Sequence, residues 1–252
     1  MSVRIGNRIF APRPWAVLLT AAAVAAFVSL GYWQLGRARE KQALIESFIA
    51  GNLTSVDATG LGFDEIARYQ HVRLRGSYDA TRQVLLDNMP SNKTGRPGFR
   101  VLTPLERSDG RGWVMVDRGW VPLGATREQL PDVSVGVRER EVRGRLDRLP
   151  VPGLRLGEAA APGAKGWPRI MNFPLEADVE AALGAEVESR IVLLDPDLPD
   201  GYEREWRPAL GFGPERHLGY AIQWFAAALA AVVIFLALSL RRAQPTGDSR
   251  PT

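Results

Sequence analysis

Hydrophobic and polar positions divide the chain into two long uncharged runs near its ends and a charged region between them. The runs extend from Pro14 to Gly36 and from Leu218 to Leu240, and each contains 23 residues. At about 1.5 Å per residue, a helix of this length covers roughly 34 Å, which is enough to cross a hydrocarbon core of about 30 Å. Both runs therefore predict transmembrane helices.

The first run also has features of a cleaved signal peptide, because basic residues precede it and small residues fill it. It is long for the apolar region of such a peptide, and an Ala-x-Ala cleavage site near Ala23 would fall in its middle. The pattern favours a membrane anchor.

The region between the runs begins as a helix and then changes its pattern. Helical spacing continues to about Ile49, where Gly51 and Asn52 end it. Beyond this point apolar and polar positions alternate, which predicts short strands, and an amphipathic helix closed by Gly184 is expected over 174–184. The predicted strands are 72–79, 83–88, 98–106, 112–121, 138–147 and 190–195.

Turn residues separate the predicted strands. The sequence Asp-Gly-Arg-Gly at 109–112 predicts a hairpin in which Gly110 takes a positive φ. Loops rich in Pro and Gly are expected at 90–98, 149–166 and 196–214. These patterns predict an α+β membrane protein in which two terminal transmembrane helices flank a mainly antiparallel β extramembrane domain, built as a small barrel or sandwich.

Two spans place both termini on the same side of the membrane. Arginines in both tails carry the charge expected of cytoplasmic ends, but basic residues on the opposite flanks compete, so charge alone does not settle the orientation. The predicted parts are a cytoplasmic tail over 1–14, a transmembrane helix over 15–35, the β-rich domain over 36–216, a second transmembrane helix over 217–240 and a cytoplasmic tail over 241–252.

Composition excludes several classes of function. The chain has no cysteine, which removes disulfides, thiol chemistry and thiolate metal sites. The middle region is nearly neutral, so nucleic-acid binding has no support. Nucleophile-elbow and phosphate-loop motifs are missing, and Asp195 and Asp197, on either side of Pro196, are more typical of a turn than of a catalytic pair. We therefore do not expect an enzyme.

One of only two histidines, His217, stands at the beginning of the second run. On a helix it shares a stripe with Tyr220, Ala221, Trp224 and Ala228. An imidazole at this depth could coordinate a haem iron, since small residues allow a flat macrocycle to approach closely. The neighbouring arginine, Arg216, could pair with a propionate.

A purely interfacial interpretation of this stripe stays open. Tyr and Trp are enriched at membrane surfaces, and a histidine at the mouth of a span is commonly a surface residue. The first run ends similarly, with Trp33, Arg37 and Lys41 on one helical face, where an aromatic belt with snorkelling cations is the alternative. The other histidine, His71, is expected to be a surface or hydrogen-bonded residue of a strand.

Several motifs resemble the surfeit locus protein one family of cytochrome c oxidase assembly factors. At the first span the resemblance rests on Leu30, Gly31, Trp33, Gln34, Arg37 and Lys41. Further along it rests on RPGFRVLTPL (96–105), VDRGWVP (116–122), REVRGRL (140–146) and RHLGYAIQW (216–224). These motifs cover nearly the whole chain. One departure is Asp117, where family members often have asparagine.

The resemblance implies a fold, a location and a function. Such proteins have two spans in the bacterial cytoplasmic (inner) membrane, or in the mitochondrial inner membrane of eukaryotes, with the central domain in the periplasm or intermembrane space. They assist the maturation of subunit I of cytochrome c oxidase, and bacterial members are associated with delivery of haem a. The family's histidine and tryptophan at the second span correspond to His217 and Trp224.

Two classes of function follow from this resemblance. In the first, the protein binds haem a transiently, with His217 as the iron ligand and Trp224, Tyr220, Arg216, Trp33 and Arg37 as further contacts. In the second, it is a scaffold that stabilises subunit I without touching iron. Subunit I, haem A synthase and membrane lipid are the expected partners. An enzyme that modifies haem is not expected.

The orientation can be tested with reporter fusions. We expect a reporter that is active only in the periplasm to work when fused after Arg107 and to be inactive after Arg242, because both tails should be cytoplasmic. Activity after Arg242 would contradict this topology.

Overall fold

The computed structural model describes residues 3–6, 8–124, 129–151 and 166–242. The chain forms two compact units. A helical unit comprises Met1–Leu44 and Leu210–Thr252, and a β domain comprises Ile45–Ala209. In chain order the elements are β1 Val3–Ile5, β2 Arg8–Phe10, α1 Pro14–Ala50, β3 Ser55–Asp57, β4 His71–Tyr78, β5 Val84–Leu86, β6 Gly98–Arg107, β7 Trp113–Pro122, β8 Arg140–Asp147, β9 Arg169–Met171, α2 Glu176–Leu183, β10 Ile191–Leu194, α3 Pro214–Ser239 and β11 Leu240–Arg242.

The helical unit contains the two predicted spans. Both α1 and α3 are long and apolar enough to cross a membrane. The prediction that the first span continues as one helix to about residue 49 is confirmed, because α1 ends at Ala50. Three short strands of this unit were not predicted, and neither were β3 and β9 of the β domain. In the helical unit β2 pairs antiparallel with β1 on one side and with β11 on the other. The predicted domain boundaries stay predictions.

The β domain is a small barrel, as the alternation predicted. Strands β4, β8, β10, β7 and β6 pair in that order, and β6 pairs again with β4 to close the ring. Most pairings are antiparallel, but β10 lies parallel to β7, and β3 and β9 are parallel to the strands they join. The barrel interior is apolar and includes Phe63, Leu105, Val116, Leu146 and Val192.

The hairpin turn at 109–112 and the end of α2 agree with the predictions from the sequence. The hairpin between β6 and β7 has Gly110 at φ 78° and Gly112 at φ 85°, conformations that a side chain disfavours. The helix α2 ends with Gly184 at φ 69°, whose N–H donates to the carbonyl of Glu180 at 2.7 Å. Most of the predicted loop 149–166 lies outside the described residues.

A buried arginine joins several segments of the β domain. Arg118, on β7, is only 1% exposed. Its Nη1 donates to Gln83 Oε1 at 3.0 Å and to the carbonyl of Val133 at 2.8 Å, and its Nε donates to the carbonyl of Asp200 at 2.6 Å. Among the described residues, the guanidinium therefore connects the barrel to two loops by hydrogen bonds and has no direct ion pair.

Aromatic rings complete the surroundings of this arginine. The guanidinium lies 5.0 Å from the ring centre of Tyr202 and 5.9 Å from that of Tyr78. Burial raises the pKa of the Tyr78 hydroxyl to about 12, so the phenol stays neutral. A neutral ring can face a cation without adding a second buried charge.

The neighbouring Asp117 has a structural role of its own. It is fully buried, it pairs with Arg100, and its Oδ1 accepts the Gly119 N–H at 3.0 Å. Burial raises the pKa of this carboxyl above its usual value. An asparagine oxygen could accept the same hydrogen bond. Gly119 has φ 110°, and a Cβ there would lie 2.6 Å from the carbonyl oxygen of Glu203.

The role of Arg118 predicts a loss of stability. Arg118→Met should lower the free energy of unfolding by more than about 2 kcal/mol, because each buried acceptor left without a donor costs about 1–3 kcal/mol. For a domain of this size the thermal midpoint of the full chain should fall by at least about 4 °C. Arg75→Met, at an exposed position of β4, is the matched control and should change the midpoint little. Equal midpoints for the two variants would contradict this role.

Candidate functional site

The predicted ligand His217 lies in the first turns of α3, which begins at Pro214. Proline at the start of a helix is favourable because its fixed φ matches the helix and its missing N–H would have no partner there. The Nδ1 atom of His217 lies 2.7 Å from Oε1 of Gln34 on α1. This hydrogen bond joins the two spans.

The bond determines which imidazole nitrogen carries the proton. An amide oxygen is only an acceptor, so Nδ1 of His217 must donate to Gln34. In the neutral ring the lone pair then belongs to Nε2. Within the described residues, Nε2 has no hydrogen-bond partner. The arrangement leaves a nitrogen ligand available at the end of the span.

Small residues bring the two helices close enough for this bond. Ala221 and Ala228 are buried on α3, and Gly31 and Ala38 are buried on α1. A Cβ at Gly31 would lie 2.7 Å from the ring of Phe225, which is closer than an unshifted ring permits. Close approach through small residues is the usual way in which membrane helices pack.

Trp224 lies deeper in the span and faces α1. Its ring stacks on Phe27, with centroids 5.8 Å apart and planes inclined by 22°. The side chain is half-buried, so part of the indole remains accessible. Contact between this ring and a macrocycle stays a prediction.

The other candidate residues are more exposed. Tyr220 is 43% exposed and Trp33 is 58% exposed. Arg216 lies 4.4 Å from the ring centre of Phe212, and Arg37 Nη1 pairs with Glu40 Oε2 at 2.6 Å. Both arginine contacts are of kinds worth about 1 kcal/mol or less at an exposed surface, so neither commits its guanidinium strongly. The structure therefore brings His217 and Trp224 to the α1 side of α3, but it does not bring the whole predicted set into mutual contact.

The sequence analysis missed the partner of the histidine. Gln34 belongs to the first-span motif but is not among the predicted site residues. The sequence does contain a signal for Gln34. A polar side chain inside an uncharged span must find a hydrogen-bond partner and is a functional candidate by default. Phe27 had no comparable signal, since one phenylalanine in an apolar run does not reveal which ring it will contact.

The arrangement fits an axial haem ligand. A histidine that ligates a metal usually donates its second ring N–H to an oxygen, which fixes the tautomer and orients the ring. In such a site Gln34 would supply that oxygen, and Nε2 of His217 would supply the ligand atom. The donor set is a single imidazole nitrogen, which suits a haem iron better than a free divalent ion.

The second histidine belongs to a different network, in the β domain. His71 Nδ1 lies 2.9 Å from Ser55 Oγ, and Nε2 lies 2.8 Å from Asp195 Oδ2. Asp197 accepts instead from Arg143 at 2.8 Å. His71 is a hydrogen-bonded strand residue, as expected, and the two aspartates serve separate contacts. The network connects β3, β4 and the loop after β10.

Comparisons with known proteins agree with the motifs. The SURF1 family matches residues 21–229. A SURF1-like protein of Rickettsia felis is 24% identical over 216 residues, which cover 83% of this chain and 90% of the relative. The Surfeit locus protein 1 of Takifugu rubripes is 25% identical over 251 residues, covering 90% of this chain and 97% of the relative.

The packing of the two spans can be tested by cross-linking, since the chain has no native cysteine. We expect Phe27→Cys combined with Trp224→Cys to react with a short thiol cross-linker in membranes, because the two rings are in contact. Phe27→Cys combined with Ile222→Cys is the control, since Ile222 is 69% exposed. The readout is the electrophoretic shift after a protease cut in the β domain. Equal cross-linking of both pairs would contradict the described packing.

Proposed function

Because the chain belongs to the SURF1 family, known as cytochrome c oxidase assembly factors, we propose that this membrane protein holds haem a transiently at His217 and passes it to oxidase subunit I. Assembly factors of this kind act by binding rather than by turnover. The proposal therefore requires a site with affinity for the cargo and a means of releasing it.

The observation that carries the proposal is the hydrogen bond from His217 Nδ1 to Gln34 Oε1, 2.7 Å long. It directs the lone pair of Nε2 away from α1 and holds the ring in one orientation. A preoriented ligand loses less conformational freedom when it binds. The second nitrogen therefore has the properties that iron coordination needs.

The residues around His217 have distinct roles in this proposal. His217 would donate its Nε2 lone pair to the iron of the haem. The bound haem would supply the vacant coordination position. Arg216 and Arg37 are the candidate partners of the propionates. The rings of Trp224, Tyr220 and Trp33 provide apolar faces for the macrocycle, and the exposed rings of Tyr220 and Trp33 need the least rearrangement to do so.

A transient carrier must also release the haem to the acceptor. A single nitrogen ligand would leave the haem iron open to a ligand of the acceptor, which could approach before His217 leaves. A pair of histidines would hold the haem permanently, as in an electron carrier. One accessible histidine in the helical unit is consistent with a carrier, because the only other histidine of the chain lies in the β domain.

The proposed location follows the family. We propose that the helices cross the bacterial inner membrane, or the mitochondrial inner membrane in a eukaryote. The β domain would then lie in the periplasm or the intermembrane space. Subunit I is the proposed acceptor, and haem A synthase, which makes the cargo, is the proposed donor.

A scaffold function is the second candidate, and one observation favours it. The ring of Trp224 already stacks on Phe27, and Ala221 and Ala228 are buried, so much of the stripe is used in helix packing. In this alternative His217 and Gln34 are simply a polar contact between spans. The protein would hold subunit I in a receptive state without binding iron.

Replacement of the ligand separates the two candidates. His217→Ala, purified from cells that make haem a, should lose most of the copurified haem, because the iron loses its protein ligand. Gln223→Ala changes an exposed polar residue of the same helix and should retain haem. The measurements are haem content per protein and the position of the Soret band. An unchanged haem content and Soret band in His217→Ala would favour the scaffold.

The role of Gln34 gives a second test. Gln34→Leu removes the acceptor of His217 Nδ1 but leaves the ligand atom in place, so haem retention should fall several-fold and the Soret band should broaden or shift. Gln34→Glu keeps an acceptor oxygen and should retain more haem than Gln34→Leu. Equal retention by both variants and the unmodified protein would show that orientation by Gln34 is not needed.

A further inference from the structure

We propose that the end of the helical unit nearest the chain termini binds an anionic phospholipid of the surrounding membrane. An acyl chain would occupy an apolar groove between α1 and α3, and the phosphate would lie at Arg8 and Arg13, beside the groove and the adjoining three-stranded sheet. This site lies at the opposite ends of the spans from His217 and does not depend on haem binding.

The groove is built mainly from small and aliphatic side chains. It has a volume of about 450 Å³ and is formed by both helices together with the segment that precedes α1. Alanines on the two helices leave the space that larger residues would fill. Its lining is Ala11, Arg13, Trp15, Ala16, Leu19, Thr20, Ala23, Ala231, Ile234, Phe235, Leu238 and Ser239.

The three-stranded sheet formed by β1, β2 and β11 lies at one end of the groove. Strand β2 is anchored to α3 by Phe10, whose ring meets Phe235 edge-on with centroids 6.3 Å apart. The Ala11 N–H donates to the carbonyl of Ser239 at 2.9 Å. Residues of the N-terminal tail are thereby held beside the apolar groove.

Positively charged residues are concentrated in and beside this sheet. Arg8 and Arg13 are exposed, and the strand register places Arg242 opposite Arg8 and Arg241 opposite Ile9. In the described tail residues, 3–6, 8–13 and 240–242, there is no Asp or Glu to balance these arginines. Arg8 and Arg13 are both cations, so an anion bound beside them would be attracted by more than one positive charge.

The position of the groove between two membrane spans indicates which kind of anion can contact both the groove and the arginines. Because α1 and α3 are membrane spans, a groove between them faces hydrocarbon rather than water. Trp15 is 60% exposed at the groove, as expected of a residue at the lipid headgroups. A phospholipid with a net negative charge supplies both an acyl chain and a phosphate, and basic pockets between spans are known to bind such headgroups.

The test uses the full-length protein in a neutral detergent. The purified protein is delipidated and mixed with equal amounts of phosphatidylglycerol and phosphatidylcholine that carry the same acyl chains. Native mass spectrometry then gives the fraction of protein that retains each lipid. We expect phosphatidylglycerol to be retained several-fold more than phosphatidylcholine.

Two variants separate the headgroup from the acyl chain. Arg13→Gln should reduce the preference for phosphatidylglycerol several-fold, whereas Arg39→Gln, at an exposed position in the other half of α1, should leave it unchanged. Ala23→Leu fills the groove and should reduce retention of both lipids. Ala22→Leu adds the same volume at an exposed neighbouring position and should have little effect.

Three results would overturn the proposal. The first is equal retention of the two lipids by the unmodified protein. The second is an equal loss of preference in Arg13→Gln and Arg39→Gln, which would show attraction to overall charge alone. The third is unchanged retention in Ala23→Leu, which would place the acyl chain elsewhere.

Discussion

A polar side chain that enters a membrane must find a hydrogen-bond partner inside the protein, and this constraint organises the helical unit. Gln34 is a buried polar residue of the first span, and His217 is the partner that satisfies it. The bond can form only because Gly31, Ala221 and Ala228 let the helices approach closely. The same contact that completes the helix pair therefore also orients an imidazole.

Packing of the helix stripe is compatible with the proposed ligand binding. Small residues at Ala221 and Ala228 and the stacking of Trp224 on Phe27 hold α3 against α1. A ligand atom is useful to a carrier only when it is held at a definite place, and these contacts supply that rigidity. The weakly engaged arginines, Arg216 and Arg37, differ in this respect, because exposed contacts leave them free to meet a charged group.

The motifs of the β domain have a structural explanation. Arg118 and Asp117 are buried in the barrel wall, where they satisfy loop carbonyls, a backbone N–H and Arg100, and Gly119 is needed for its positive φ. The strong sequence signal of VDRGWVP thus reflects a network that would be costly to leave incomplete. By contrast, the tail sheet arises from short strands with no clear pattern, yet it places arginines beside an apolar groove between the spans.

The sequence by itself determined the two spans, the helical extension to Ala50, the hairpin at 109–112, the α2 helix and the principal strands, because each depends on local periodicity or on a glycine with positive φ. It also predicted His217 as a candidate ligand from its position in the second run. Only the tertiary structure decided that Gln34 holds this histidine, that Trp224 stacks on Phe27, that β10 lies parallel to β7, and that β4 closes on β6. These contacts join residues distant in the chain, and periodicity reports which face of an element is buried but not what covers it.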